Sequence, residues 1–215
     1  MTLALFDLDN TLLNGDSDHA WGMYLAEIGA VDAKLHAEKQ EYFYQQYVAG
    51  SLNIIEFCEF QFQVLKNTPL EQLYQWRDDF IDDVIQPMID LGKPELLDKH
   101  RELGHKLLII TATNDFITRP IADRLKVETL IATTAEFIDQ SYTGKIAGTP
   151  CFQDGKVKRL SDWCAKNQQN LENSYFYSDS MNDLPLLEQV TTPIAVTPDE
   201  RLRSHAKQHN WQIID

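Results

Sequence analysis

Apolar residues fall along this chain in two kinds of run. Short, uninterrupted runs occupy residues 3–6 (Leu-Ala-Leu-Phe), 106–110 (Lys-Leu-Leu-Ile-Ile) and 174–177 (Ser-Tyr-Phe-Tyr). Runs without alternation are expected of strands buried on both faces of a parallel sheet. Each ends in polar residues: the first at Asp7-Leu-Asp9-Asn-Thr, the second at Thr111-Ala-Thr-Asn-Asp115, the third at Ser178-Asp179-Ser-Met-Asn182-Asp183. Parallel sheets carry ligands just beyond the carboxyl ends of their strands. The pattern therefore predicts an α/β, doubly wound parallel-sheet domain with a site where three strand ends meet.

The second kind of run has helical spacing. Residues 31–48, 52–66 and 69–85 repeat apolar positions in this way, for instance Leu70, Leu73, Tyr74 and Phe80, with breakers at Gly50-Ser51 and Thr68-Pro69. They predict an all-helical insertion at 15–87 within a core of 1–14 and 88–215, joined at Asn14-Gly15 and Gln86-Pro87. A further helix at 94–103 would lead into the second strand.

A chain of 215 residues has room for such a core and a smaller insertion. Its net charge of −14 argues against nucleic acid or an anionic membrane as partner. The charge is uneven: residues 15–87 hold 13 Asp and Glu against 4 Lys and Arg. No run approaches the roughly 18 apolar residues of a membrane span, and the N-terminus lacks the pattern of a signal peptide, so a cytoplasmic protein is expected. Cys58, Cys151 and Cys164 are odd in number and show no C-x-x-C spacing, which argues against a disulfide framework or a zinc site.

The chemistry begins at Asp7 and Asp9. Carboxylates two residues apart repel, and both remain ionised only beside a cation, normally a hard divalent metal. Together with Thr111 after its hydrophobic strand, Lys156 opening a helix, and Asp179-Ser-Met-Asn-Asp183, this segment resembles the four ordered motifs of the haloacid dehalogenase (HAD) superfamily. The resemblance is closest to the phosphoserine phosphatase-like branch, subfamily IB, and covers nearly the whole chain. It implies a Rossmann-like core, a C1 cap formed by residues 15–87, and a Mg²⁺-dependent phosphomonoesterase. Asp7 would then be the nucleophile that forms an aspartyl-phosphate, and Asp9 the general acid and base. Asp7, Asp179 and the backbone carbonyl of Asp9 would hold Mg²⁺. Thr111 and Lys156 would bind the phosphoryl oxygens, with Asn182 and Asp183 supporting phosphate, metal and lysine. Lys158, on the same helix, is the alternative to Lys156.

The same resemblance bears on substrate. In phosphatases of that branch, an acidic residue early in the cap and an arginine on a cap helix hold the substrate's amine and carboxylate. Asp16 stands for the acid, with His19 near it. No arginine precedes Arg77, and Glu59 occupies the aligned position, so a carboxylate clamp is missing. An acidic insertion bearing Trp21, Tyr24, Tyr42, Phe43, Tyr44, Tyr47, Phe57, Phe60 and Phe62 suits an ester with a cationic or heteroaromatic tail, although aromatics at helical spacing also read as core. L-Histidinol phosphate has an amine, an imidazole and no carboxylate. The branch includes histidinol-phosphatases of amino-acid biosynthesis, so this substrate ranks ahead of phosphoserine and other small phosphorylated metabolites. A phosphomutase and a non-catalytic binding module are the further alternatives, and the sequence fits a monomer or a homodimer.

Overall fold

The structure is a computed structural model describing residues 1–215. Six strands form the sheet: β1 (Leu3–Phe6), β2 (Lys106–Asn114), β3 (Thr129–Thr133), β6 (Tyr175–Ser178), β7 (Thr192–Val196) and β8 (Gln212–Ile214). Their order is β3-β2-β1-β6-β7-β8, and every pairing is parallel. The remaining two, β4 (Ala135–Ile138) and β5 (Ser141–Ile146), form an antiparallel hairpin. The doubly wound arrangement follows from the strands themselves. Leu3 and Leu5 join Leu108, Ile110, Leu160 and Phe176 on one face, while Ala4 and Phe6 join Ile109, Ile117 and Tyr177 on the other. Alternate side chains thus enter two separate cores, which is why the apolar residues of these runs do not alternate with polar ones.

Helices fill the segment between β1 and β2: α1 (Ser17–Glu27), α2 (Ala33–Ala49), α3 (Ile54–Asn67) and α4 (Leu70–Phe80), then a π turn (Ile81–Ile85), α5 (Gln86–Asp90) and α6 (Glu95–Glu102). Gln86-Pro87, expected as a hinge between insertion and core, lies inside this helical run. The π turn widens the backbone just before Pro87, giving its ring room without a change of direction. The aromatic residues divide as core patterns do. Trp21, Phe43 and Phe62 are buried, Tyr42 and Tyr44 are exposed, and Trp21, Phe62 and Phe80 belong to the same apolar cluster as Phe6 and Ile117. The insertion therefore shares an apolar cluster with one face of the sheet. Support also comes from the hairpin, where α3 lies against β5 and the aliphatic stem of Lys66 sits over Gly144. No helix is long and apolar enough to cross a membrane.

Beneath the sheet, His100 on α6 is fully buried; its Nε2 lies 2.8 Å from the Tyr177 hydroxyl and its Nδ1 2.8 Å from His105 Nδ1. Burial, with the neighbouring His105, pushes its pKa down to about 4. The unfolded imidazole titrates near 6.5, so the unfolded chain takes up this proton first, and His100 draws stability down as pH falls from about 6.5 toward 4. In a histidine NMR titration, His100 is expected to keep the shifts of a neutral ring at pH 5.5. A midpoint near 6.5 for that ring would refute the assignment.

Candidate active site

Phe6 pairs with Ile109 on β2 and with Tyr177 on β6. The residues that follow β1 and β6 therefore leave the sheet side by side, with Asp7 and Asp9 after β1, Asp179 after β6, and Thr111 on the neighbouring β2. The Asp7 backbone N–H still donates to the Tyr177 carbonyl at 2.9 Å, which fixes the nucleophile candidate as an extension of β1. Its carboxylate accepts from Lys156 Nζ at 3.0 Å, and the same ammonium reaches Asp183 at 2.7 Å. Ser178 Oγ donates to the same Asp183 oxygen at 2.7 Å, and Thr11 Oγ1 donates to Asp179 at 3.3 Å.

Lys156 is delivered by the first turn of the helix Asp154–Asn167. The turn fits only because residue 155 is glycine: a Cβ there would lie 2.0 Å from the Pro150 carbonyl oxygen. Preceding it, Gln153 has φ +47°, a left-handed conformation that L-residues rarely adopt. Lys156 is the buried cation, while Lys158 is exposed and pairs with Asp162 along the helix. Of the two lysines, Lys156 is the one placed against Asp7 and Asp183.

Asp9 is gripped at both oxygens. Oδ1 accepts from the Ser17 backbone N–H at 2.6 Å, and Oδ2 from Thr113 Oγ1 at 2.8 Å. Burial and the Asp16 carboxylate push its pKa up to about 8, against which the Ser17 contacts pull down. For Asp7, burial outweighs the attraction of Lys156 and raises the pKa to about 6. Burial, together with Asp7 and Asp183, lifts Asp179 well above the carboxylate range. On Lys156 burial acts to lower the pKa, but Asp183 and Asp7 more than reverse it and hold the ammonium charged.

One lysine thus faces two buried carboxylates, Asp7 and Asp183, with the half-buried Asp179 close by, a set of hard oxygens short of positive charge, which fits Mg²⁺. No three Asp, Glu, His or Cys side chains converge closely enough to cage an ion alone. Asp7, Asp179 and the Asp9 carbonyl are the residues that would hold it.

The other assignments from sequence are placed less simply. Thr111 is buried, but β2 runs on through it to Asn114, with a register shift after Ile110, and its hydroxyl accepts from the Thr113 N–H at 3.2 Å. Asn182, expected at the phosphate, has its amide between Gln153 Nε2 at 3.0 Å and the Tyr47 carbonyl at 3.3 Å. Asp16 is exposed and caps α1 by accepting from the Asp18 and His19 N–H groups. His19 is exposed, with Nδ1 3.2 Å from Gln40 Oε1. Glu59 is exposed on α3. The inward residue of α3 at this level is Gln61, buried and donating to Asp18 at 2.8 Å.

Four residues were missed: Ser17 and Thr113, which hold Asp9; Asp18, which also accepts from Asn114 Nδ2 at 3.3 Å; and Tyr47, whose hydroxyl donates to Ser180 Oγ at 2.8 Å. Thr113 lies in the same polar strand end as Thr111, a signal that was available in the sequence.

Residues 4–188 match the haloacid dehalogenase-like hydrolase family. The chain belongs to that family, and with its fold and relatives it is a phosphoric monoester hydrolase. It is 40% identical, over 99% of its length and 98% of the relative's, to a histidinol-phosphatase of Neisseria meningitidis serogroup C (strain 8013). It is 30% identical, over 99% of its length and 70% of the relative's, to phosphoserine phosphatase SerB1 of Mycobacterium tuberculosis (strain ATCC 25618 / H37Rv). A crystal structure of a Bordetella pertussis Tohama I protein of unknown function superimposes with a TM-score of 0.93 at 41% identity, covering 100% of this chain and 99% of that one.

Proposed function

We propose that the protein hydrolyses L-histidinol phosphate with Mg²⁺, through an aspartyl-phosphate on Asp7. The observation that carries the reaction is the buried Lys156 ammonium joined to both Asp7 and Asp183 beside an Asp9 gripped at both oxygens. An Asp7 oxygen attacks phosphorus while the bond to the ester oxygen breaks, and Asp9 gives its proton to the departing alcohol. Asp9, now ionised, takes a proton from the water that attacks the acyl phosphate, releasing inorganic phosphate and restoring Asp7. A pKa near 8 suits Asp9 to the first of these tasks at neutral pH. Lys156 and Thr111 face the charge that develops on the phosphoryl oxygens. Bound Mg²⁺ would supply the Lewis acidity and neutralise the carboxylate cluster. Residues 15–87 act as the cap that excludes water, on a core of 1–14 and 88–215.

The substrate reading rests on the 40% relative's name and on Asp18. This carboxylate is buried, its partners Gln61 and Asn114 are neutral, and burial with the nearby Asp16 pushes its pKa up to about 7. It sits one residue from Ser17, and Asn114 one residue from Thr113, the two groups that hold Asp9. A substrate ammonium would supply the missing cation. Arg77, the first arginine of the chain, instead stacks on Tyr74 and Phe116 and pairs with Asp78. That leaves a phosphoserine carboxylate without a clamp beside Asp18.

The test is hydrolysis of L-histidinol phosphate, L-phosphoserine and propyl phosphate side by side. L-Histidinol phosphate is expected to lead, and a clear preference for phosphoserine would favour the second reading, drawn from the SerB1 relative. In Asp18→Asn, the preference for L-histidinol phosphate over propyl phosphate should fall roughly 10- to 100-fold, the worth of a charged hydrogen bond. Equal loss on both esters would remove Asp18 from substrate recognition.

A further inference from the structure

The last turn of α2 is fastened to the core in a way that ordinary cap packing does not require. The Tyr47 hydroxyl donates to Ser180 Oγ at 2.8 Å, and its ring packs on Phe152 with centroids 6.2 Å apart. Its backbone carbonyl accepts from Asn182 Nδ2 at 3.3 Å, and the Val48 carbonyl accepts from Arg201 Nη1 at 3.3 Å. The final carbonyls of a helix have no intrahelical partner and form its negative end. Here the core supplies an amide and a guanidinium to them.

Ser180 is a junction. Its Oγ accepts from Tyr47 and also from the Asn182 N–H at 3.2 Å, which caps the short turn Met181–Asp183. Asp179 precedes that junction, and Asp183 ends the turn, where it holds Lys156 and through it Asp7. A continuous set of hydrogen bonds therefore runs from α2 through the loop of two functional carboxylates to the nucleophile. Burial and the nearby Asp179 raise the Tyr47 pKa, so the phenol remains a donor throughout the neutral range.

We propose that Tyr47 is a positioning residue: when the helical insertion closes, its hydroxyl sets Ser180, and thereby the 178–183 loop, in the geometry that presents Asp179 and Asp183. The proposal rests on the reading of Asp179 as a metal ligand. It makes closure and metal-site assembly one event. An open cap leaves Ser180 with one fewer partner and the loop less constrained.

Tyr47→Phe keeps the ring and removes the bond, so it tests the hydroxyl alone. Amide exchange at Asn182 and Asp183, measured without metal or substrate, is expected to speed up about 3- to 10-fold, while sheet amides do not change. The Mg²⁺ concentration for half-maximal activity should rise by a similar factor, with KM for the ester moving less. Ser180→Ala should do the same, and the double variant should be no worse than either single one, because one bond is being removed twice. Wild-type exchange and Mg²⁺ dependence in Tyr47→Phe, or losses that add fully in the double variant, would overturn the proposal. Wild-type turnover undiminished in EDTA would sink the metal reading instead, and the exchange measurement would still decide whether Tyr47 positions the loop.

Discussion

Asp7→Asn is expected to lower phosphate release about 10⁴-fold or more at neutral pH while leaving the fold intact. An amide oxygen is too weak a nucleophile to form the phosphoenzyme, and no other carboxylate occupies the end of β1 in the same orientation. Asp7 has a folded pKa of about 6 against about 3.8 unfolded, so the folded state holds the proton longer and Asp7 costs stability as pH rises through that window. At pH 7 the neutral amide escapes this cost. The thermal midpoint of Asp7→Asn without metal should therefore match or exceed that of the parent. Activity loss accompanied by a collapsed midpoint would mean that folding, and not chemistry, had been tested.

Lys156→Met should produce the second large effect, and here stability and activity fall together. The ammonium side chain is 3% exposed and bridges Asp7 and Asp183, so its removal strands two carboxylates in the interior. Breaking a buried pair in this way costs about 3–5 kcal/mol, which for a chain of this size lowers Tm by roughly 10 °C. Loss of its charge at the phosphoryl oxygens should reduce kcat by about 10²- to 10³-fold. Added Mg²⁺ should recover part of the midpoint, since it neutralises the same carboxylates, but not the rate. Lys158→Met, on the exposed side of the same helix, should move neither quantity appreciably. Equal effects from the two lysines would contradict the placement of Lys156.

The strand ends were legible in the sequence because their two signals agree. An unbroken apolar run identifies a strand buried on both faces, and the polar residues that stop it mark the carboxyl edge. That reasoning located Asp7, Asp9 and Asp179 before any register was known. Lys156 was harder, since Lys156, Lys158 and Arg159 share one turn, and only the close approach of Gly155 to Pro150 decides which of them points inward.

Glu59 and Gln61 differ in exposure for a geometric reason. A shift of two residues on a helix turns the side chain by about 200°, so Gln61 faces the interior and Glu59 faces water. Helix α1 escaped notice because it buries Ser17, Asp18 and Gly22 alongside Trp21 and Leu25. A polar inward face has no hydrophobic period to read. The close approach of the His36 and Gln40 side chains over Gly22 belongs to the same polar interior, invisible to any apolar pattern. Residues that act across the boundary between insertion and core, such as Tyr47 and Asp18, depend on how two separately patterned segments meet, and no local spacing encodes that.

The central claim is that phosphate passes through Asp7. Protein mixed with L-histidinol phosphate and Mg²⁺, quenched in acid within one turnover and digested, can be examined by mass spectrometry for a phosphoryl group. The account predicts that group on the peptide containing Asp7, lost on treatment with hydroxylamine and absent from Asp7→Asn. A phosphoryl group on any other residue, or product formed at full rate with none on the protein, would contradict it.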